Sequence, residues 1–189
     1  MLARPLSEDK RNAILLAAAE LVAREGLGAA TAQIAKDAGV PHGSVFTYFS
    51  TKSELLNAVY RELKAELTGA VLGKLSSGDD TKAQLKQIWT TWTQWGVENP
   101  AKRRALAQLA ASDEVTDLTR NAGHDAALPV MEIIWRVSSD GALAHVPRRY
   151  VGAVVEALAT TTMEFMSESP KEAQAICQAG FEALWRGLK

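Results

Sequence analysis

The chain has 189 residues, of which 47% are hydrophobic and 23% are charged, and its formal net charge is -1. These values are ordinary for a globular protein and exclude a strongly basic chain, so any contact with DNA must come from local placement of charge. A single cysteine, Cys177, excludes an intrachain disulfide framework and a cysteine-rich zinc site. No apolar run is long enough to cross a membrane, and the opening residues lack the apolar segment of a signal peptide. We therefore expect a cytoplasmic protein with no membrane span.

The first helix is predicted to begin after Ser7, whose side chain can accept a hydrogen bond from an N–H group of the opening turn. Two acidic residues follow in the first turn, where the helix dipole favours negative charge. Gly26 is expected to end this helix, since glycine adopts the left-handed conformation of a helix end at little cost.

Two short helices joined by a tight corner are predicted between Thr31 and Lys52. Thr31 is expected to cap the first of them, and Gly39 is expected to end it in the left-handed conformation. Pro41 suits the first turn of the second helix, where its missing N–H group is harmless. This is the pattern of a helix-turn-helix, whose second helix enters the major groove of DNA.

The second helix of the corner is expected to turn Val45 and Phe49 inward and its other side chains outward. Outward groups of this kind can hydrogen-bond to base edges, and an exposed aromatic ring can contact a thymine methyl group. The positions expected to face base edges are His42, Gly43, Ser44, Phe46 and Thr47. The groups expected to hold phosphates are Thr31, Lys52, Arg4, Lys10 and the hydroxyl of Tyr48, whose ring is expected to be buried.

A long helix follows the corner. Thr51 and Glu54 lie three residues apart before an apolar pair, which is the pattern of a capping box. Apolar residues then recur at helical spacing as far as Gly73.

The three helices, the AxxAGV turn of the corner, the pair Tyr48–Phe49 and the following Lys52 resemble the DNA-binding head of the TetR family of repressors. The resemblance covers roughly residues 8 to 60, and beyond them the chain agrees with the family only in length and helical character. One departure is Pro41–His42, where family members often carry a lysine or another long polar residue.

The resemblance implies an all-α protein with three parts. Residues 1–50 would form a three-helix DNA-binding head, residues 51–73 a connector helix, and residues 74–189 a helical bundle for ligand binding and dimerisation. It also implies a homodimer that binds double-stranded operator DNA, and a small-molecule effector that shifts the connector helix.

Three tryptophans recur every third residue in a helix predicted from Thr81 to Val97, with Asp80 as its cap. Large aromatic side chains usually fill a protein interior, so core packing is one interpretation. Pockets are lined by aromatic and apolar groups, so the wall of an effector pocket is the other. The residues predicted to line such a pocket are Trp89, Trp92, Trp95, His124, Met131, Trp135, Met163 and Phe165.

Pro129 is expected to kink or break the next helical stretch. The last two helices, predicted from Pro147 to Ser167 and from Pro170 to Leu188, carry more apolar surface than one core can use, which suggests self-association. Cys177 is interpreted as a packed residue and not as a reactive thiol. The predicted dimer interface consists of Val151, Val155, Leu158, Cys177, Phe181 and Leu184.

No glycine-rich phosphate loop, HExxH sequence, paired-cysteine spacing or nucleophile elbow occurs in the chain. We therefore expect no enzyme activity, no metal and no cofactor. The favoured function is a one-component transcriptional regulator, a repressor that a small-molecule effector releases from DNA. The alternative is a helical small-molecule-binding protein or enzyme in which the helix-turn-helix is only structural.

Overall fold

The computed structural model describes residues 7–76, 78 and 80–189, and every regular element in this part of the chain is an α-helix. The all-α prediction is therefore confirmed. The helices are α1 (Glu8–Glu25), α2 (Thr31–Asp37), α3 (His42–Tyr48), α4 (Lys52–Lys74), α5 (Thr81–Glu98), α6 (Pro100–Ala110), α7 (Asp117–Ala126), α8 (Leu128–Ser138), α9 (Arg148–Glu168) and α10 (Ala173–Leu188).

The chain packs as two compact units. Unit 1 comprises the described residues of Met1–Ala65 together with Pro100–His124, and unit 2 comprises Glu66–Asn99 together with Asp125–Lys189. Helices α4 and α7 each contribute residues to both units. The units do not follow the three ranges expected from the family resemblance, because α6 and most of α7 pack with the N-terminal helices. The division by function remains a prediction.

Unit 1 is built on α1, which packs against α2 and α6. Ile14 and Leu21 of α1 are fully buried, as is Ile34 of α2. The predicted ends of α1 are confirmed: the Ser7 hydroxyl accepts a hydrogen bond from the N–H of Lys10 at 3.5 Å, and Gly26 ends the helix with φ of 80°.

The capping box at the start of α4 is present with one change of partner. The N–H of Glu54 donates to the Thr51 hydroxyl at 3.0 Å, as predicted. The Glu54 carboxylate accepts from the N–H of Ser50 at 2.8 Å, one residue earlier than the usual pattern.

Asn57 joins α4 to the segment between α6 and α7. Its amide nitrogen donates to the carbonyl of Glu114 at 2.7 Å and to that of Ser53 at 2.8 Å. Its side-chain oxygen accepts from the N–H of Thr116 at 3.0 Å and from the Thr116 hydroxyl at 3.3 Å. The side chain is buried. Its hydrogen bonds therefore satisfy backbone N–H and C=O groups of a segment that lies outside any helix.

Unit 2 is a bundle in which α5 packs against α8, α9 and α10. Asp80 caps α5, its carboxylate accepting from the N–H of Ala83 at 2.8 Å. Helices α7 and α8 are separated at Ala127, and Pro129 lies two residues later in the first turn of α8, so the expected break is confirmed. Helix α10 begins at Ala173, three residues later than predicted. Of the helices in the described part of the chain, none has the length and apolar character to cross a membrane.

Replacing Asn57 with Ala is expected to lower the free energy of unfolding by about 1–3 kcal/mol, because the N–H of Thr116 and the carbonyl of Glu114 lose a buried partner. A urea titration followed by circular dichroism measures this change. Glu62→Ala, at an exposed position of the same helix, is the control and should change stability little. Equal stability of the two variants would contradict the role given to Asn57.

Candidate nucleic-acid interface

The corner between α2 and α3 depends on the backbone of Gly39, which has φ of 66°. The N–H of Gly39 donates to the carbonyl of Lys36 at 3.1 Å, and the N–H of Val40 donates to that of Ala35 at 3.0 Å. A Cβ atom on Gly39 would meet nothing within 4 Å, so the constraint is backbone conformation and not space. The predicted left-handed corner is confirmed.

Two details of the predicted corner are wrong. Thr31 does not cap α2: the cap position is Ala30, which makes no side-chain hydrogen bond, and Thr31 is already helical. Pro41 lies at the cap of α3 and not in its first turn, with φ of -57° and ψ of 141°. In both cases the helix begins one residue away from the predicted position.

Helix α3 has a buried side and an exposed side. Val45 and Phe49 are 1% and 3% exposed and belong to the core of unit 1, as predicted. The ring of Phe46 is 45% exposed. The remaining predicted base-reading positions are distributed as follows: His42, Gly43 and Thr47 are exposed and Ser44 is half-buried.

Side chains on the exposed side of α3 contact one another and the start of α2. The rings of His42 and Phe46 meet edge to face, with centroids 5.6 Å apart and planes inclined by 70°. Nε2 of His42 lies 3.3 Å from the hydroxyl oxygen of Thr31. Thr47 donates its hydroxyl to the carbonyl of Gly43 at 3.3 Å, within its own helix.

Tyr48 ties the end of α3 to the start of α1. Its ring is half-buried, and its hydroxyl oxygen accepts a hydrogen bond from the N–H of Ser7 at 3.1 Å. The hydroxyl hydrogen remains able to donate to another acceptor, because a tyrosine hydroxyl is both donor and acceptor.

The positive charges expected near DNA are available for an external partner. Lys10 is exposed and Lys52 is half-buried, and neither forms a salt bridge with a carboxylate among the residues that the structure describes. Arg4, which was also expected to hold a phosphate, lies outside the described residues. Groups of three or more His, Cys, Asp or Glu that could hold a metal ion do not occur in the described part of the chain.

The residues predicted to line an effector pocket fall into three environments. Trp89 and Trp95 are buried, and their indole N–H groups donate to the carbonyl of Cys177 at 2.9 Å and to the Glu66 carboxylate at 3.1 Å. Met163 is also buried in unit 2. Trp92, Met131 and Trp135 are half-buried there. His124 is exposed on α7 in unit 1, and Phe165 is 55% exposed, so neither belongs with the other six.

Trp135 combines a contact with a cation and an indole N–H that has no partner among the described residues. The guanidinium carbon of Arg148 lies 4.3 Å from the centre of its indole ring, a cation–π contact. Its indole N–H is buried and has no hydrogen-bond partner among the described residues.

The residues predicted to form the dimer interface lie mainly in the core of a single chain. Val151, Val155, Phe181 and Leu184 are all at most 3% exposed and pack with one another in unit 2, which corrects the prediction for these four. Leu158 and Cys177 are half-buried. Side chains buried to this degree within one chain offer almost no surface to a second protomer.

The corner, the buried side of α3 and its exposed side together define a helix-turn-helix head. Comparison with known proteins gives the same result. Residues 14–59 match the family model described as bacterial regulatory proteins, tetR family. Over 81 residues the chain is 38% identical to the HTH-type transcriptional regulator BetI of Stenotrophomonas maltophilia (strain R551-3), which is 42% of this chain and 41% of that protein. The match thus spans about two-fifths of the curated relative.

Solved structures resemble nearly the whole chain. A structure assigned to the TetR family of transcription regulators from Shewanella sp. PV-4 has a TM-score of 0.83 at 27% identity, covering 93% of this chain and 96% of that one. Another from Marinobacter aquaeolei VT8 has a TM-score of 0.80 at 22% identity and covers 95% of each chain, a likeness of fold alone. The chain is therefore similar to TetR-family transcription regulators, in sequence over residues 14–59 and in fold over nearly its whole length.

Val45→Ala and Phe46→Ala are expected to differ in stability, because Val45 is buried whereas Phe46, the next residue of α3, is 45% exposed. Val45→Ala should lower the free energy of unfolding by about 1–3 kcal/mol through lost burial, whereas Phe46→Ala should change it by less than about 0.5 kcal/mol. Thermal or urea unfolding followed by circular dichroism compares them. A larger loss for Phe46→Ala would mean that its ring is not on the exposed side.

Proposed function

We propose that this protein is a ligand-responsive one-component transcriptional regulator that binds a palindromic operator as a dimer and represses until an effector releases it. The observation that carries the proposal is the exposed side of α3, where His42, Phe46 and Thr47 lie together on a helix whose other side is anchored in the core. A helix held in this way can enter a major groove with its exposed side while its buried side stays packed in the core.

Base contacts and phosphate contacts would come from different groups. His42, Gly43, Ser44 and Thr47 would approach base edges, and Phe46 would contact a thymine methyl group. Lys52, Lys10 and the Tyr48 hydroxyl would hold phosphates and set the orientation of the head, without reading sequence.

Dimerisation would use a second apolar side of α9, here called the α9 outer stripe. Its members recur at intervals of three and four residues and are exposed or half-buried, whereas the buried core residues of α9 lie on a neighbouring side. The α9 outer stripe consists of Tyr150, Val154, Ala157, Leu158, Thr161 and Phe165. Tyr150 and Phe165, at the two ends of the stripe, are each more than half exposed, so the stripe presents large rings to solvent in a single chain.

Helix α10 offers a matching surface. Its exposed small residues recur every fourth position opposite its buried side, at Ala175, Ala179, Ala183 and Gly187. Small residues let helices approach closely, and α9 and α10 already pack against each other within one chain. Two copies could therefore bring four helices together, which is the assembly that the family resemblance implies.

An effector site is proposed within unit 2, between α5, α8 and α9. Trp92, Met131 and Trp135 are the half-buried aromatic and sulfur-containing side chains there, and groups of this kind line small-molecule pockets. Because α4 carries residues of both units, it is the connector through which binding would act on the head. Effector and operator would then weaken each other's binding by the same factor.

The alternative, a helical binding protein or enzyme with a purely structural corner, is less well supported. A structural corner has no need for an aromatic ring and an imidazole on its solvent side, where Phe46 is 45% exposed and His42 is exposed. The proteins named above are described as transcription regulators, which also favours the first function.

His42→Ala and Thr47→Ala are each expected to weaken binding to the preferred operator about tenfold or more while leaving binding to unrelated DNA nearly unchanged, because base contacts carry the specificity. Lys52→Ala should weaken binding to all duplexes alike and reduce the slope of log affinity against log salt by about one. Anisotropy titrations against a duplex selected from a randomised pool, and against a scrambled duplex, measure both effects. Full affinity of His42→Ala and Thr47→Ala for the operator would refute the assignment of base readers.

Thr161→Arg is expected to convert the dimer into a monomer at micromolar concentration, because it places a charge within the α9 outer stripe. Thr160→Arg is the matched control: the same residue type, also exposed, one position earlier and on the polar side of α9. Sedimentation velocity distinguishes the two variants. The proposed interface fails if wild type sediments as a monomer, or if Thr160→Arg dissociates the dimer as completely as Thr161→Arg.

A further inference from the structure

The contact between Thr31 and His42 crosses the corner of the head. Thr31 is the first residue of α2 and His42 the first residue of α3, and 3.3 Å separates the Thr31 hydroxyl oxygen from Nε2 of the imidazole. The Thr31 hydroxyl does not cap α2, where no side-chain cap is present. The side-chain contact that this hydroxyl makes is with the imidazole of His42.

A second contact restrains the same ring. The imidazole packs edge to face on Phe46, one turn further along α3, at a centroid separation of 5.6 Å. Thr31 contacts one nitrogen of the ring, and Phe46 packs against the ring itself. A neutral imidazole has one donor and one acceptor nitrogen, and the Thr31 hydroxyl can pair with Nε2 in either role. The contact therefore leaves Nδ1 as the ring nitrogen that can meet an external partner.

We propose that Thr31 is a positioning residue for sequence recognition: it holds His42 so that His42 and Phe46 read neighbouring base pairs as one rigid unit. His42 would use its remaining ring nitrogen for the polar edge of one base, and Phe46 would contact the methyl group of an adjacent thymine. This inference rests on the proposed function and assigns Thr31 a role other than the phosphate contact expected from the sequence.

The two roles for Thr31 have different consequences for binding. A phosphate contact contributes equally on every sequence, whereas a group that positions a base reader contributes only on the preferred sequence. The ratio of affinities for preferred and scrambled DNA therefore separates them. An imidazole released from Thr31 must also be ordered again on binding, which lowers affinity for the preferred sequence.

The experiment uses Thr31→Val, which removes the hydroxyl but keeps a branched side chain of similar shape, and Thr31→Ser, which keeps the hydroxyl. Wild-type protein first selects its preferred duplex from a randomised pool. Anisotropy titrations then give the affinities of wild type and both variants for that duplex and for a scrambled one. Thr31→Val should reduce the affinity ratio about three- to tenfold, the effect of one neutral hydrogen bond, and Thr31→Ser should stay within about twofold of wild type.

A double-mutant cycle with His42→Ala tests whether Thr31 acts through His42. In the His42→Ala background, Thr31→Val should have no further effect on the affinity ratio, because the positioned group is absent. Circular dichroism melting of each variant checks that the head remains folded.

Four results would overturn the inference. Equal weakening of both duplexes by Thr31→Val would assign Thr31 to a phosphate, and additive effects in the cycle would show that it does not act through His42. If wild type enriches no sequence from the pool, the proposed function fails and the inference fails with it. If wild type enriches a sequence and Thr31→Val reads it equally well, only the inference fails.

Discussion

The burial of Val45 and Phe49 is the constraint on which the exposed side of α3 depends. These side chains lie in the core of unit 1 at 1% and 3% exposure, so the orientation of α3 is set by apolar packing. A helix of seven residues would not be stable alone. Because packing holds its buried side, the direction in which its exposed side chains point is also set. The exposed positions of His42 and Phe46 follow from that anchor and from the left-handed backbone of Gly39.

The helix-turn-helix head was predicted well from the sequence, because the residue patterns that define its helix ends and its corner are local. The glycine corner, the Ser7 cap and the Thr51–Glu54 pair each involve residues within three or four positions of one another, where backbone geometry leaves few alternatives. The contact between Thr31 and His42 was missed because the two residues are eleven positions apart, and only the angle between α2 and α3 brings them together. The predicted cap at Thr31 is wrong for a separate reason, because α2 begins at Thr31 itself.

Unit 2 was predicted less well, because the spacing of apolar residues does not show which side of a helix is buried when two of its sides are apolar. Helix α9 is apolar on two sides, and its sequence gave no means of separating Val155, which is buried, from Phe165, which is exposed. The choice between them is made by long-range packing against α5 and α10. The tryptophans posed the same difficulty: Trp89 and Trp95 have their N–H groups bonded within the core, while Trp92 is only half-buried.

Photocrosslinking at two phenylalanine positions tests the central claim most directly, namely that α3 meets DNA and α9 meets a second copy of the chain. Phe46 and Phe165 are similarly exposed, at 45% and 55%, so either can be replaced by a photoreactive phenylalanine analogue with little effect on the core. Irradiation with duplex DNA should link position 46 to a base and position 165 to a second protomer. Position 46 should not link to a second protomer, and position 165 should not link to DNA. Failure of position 46 to link to DNA, or equal DNA linkage from both positions, would contradict the account.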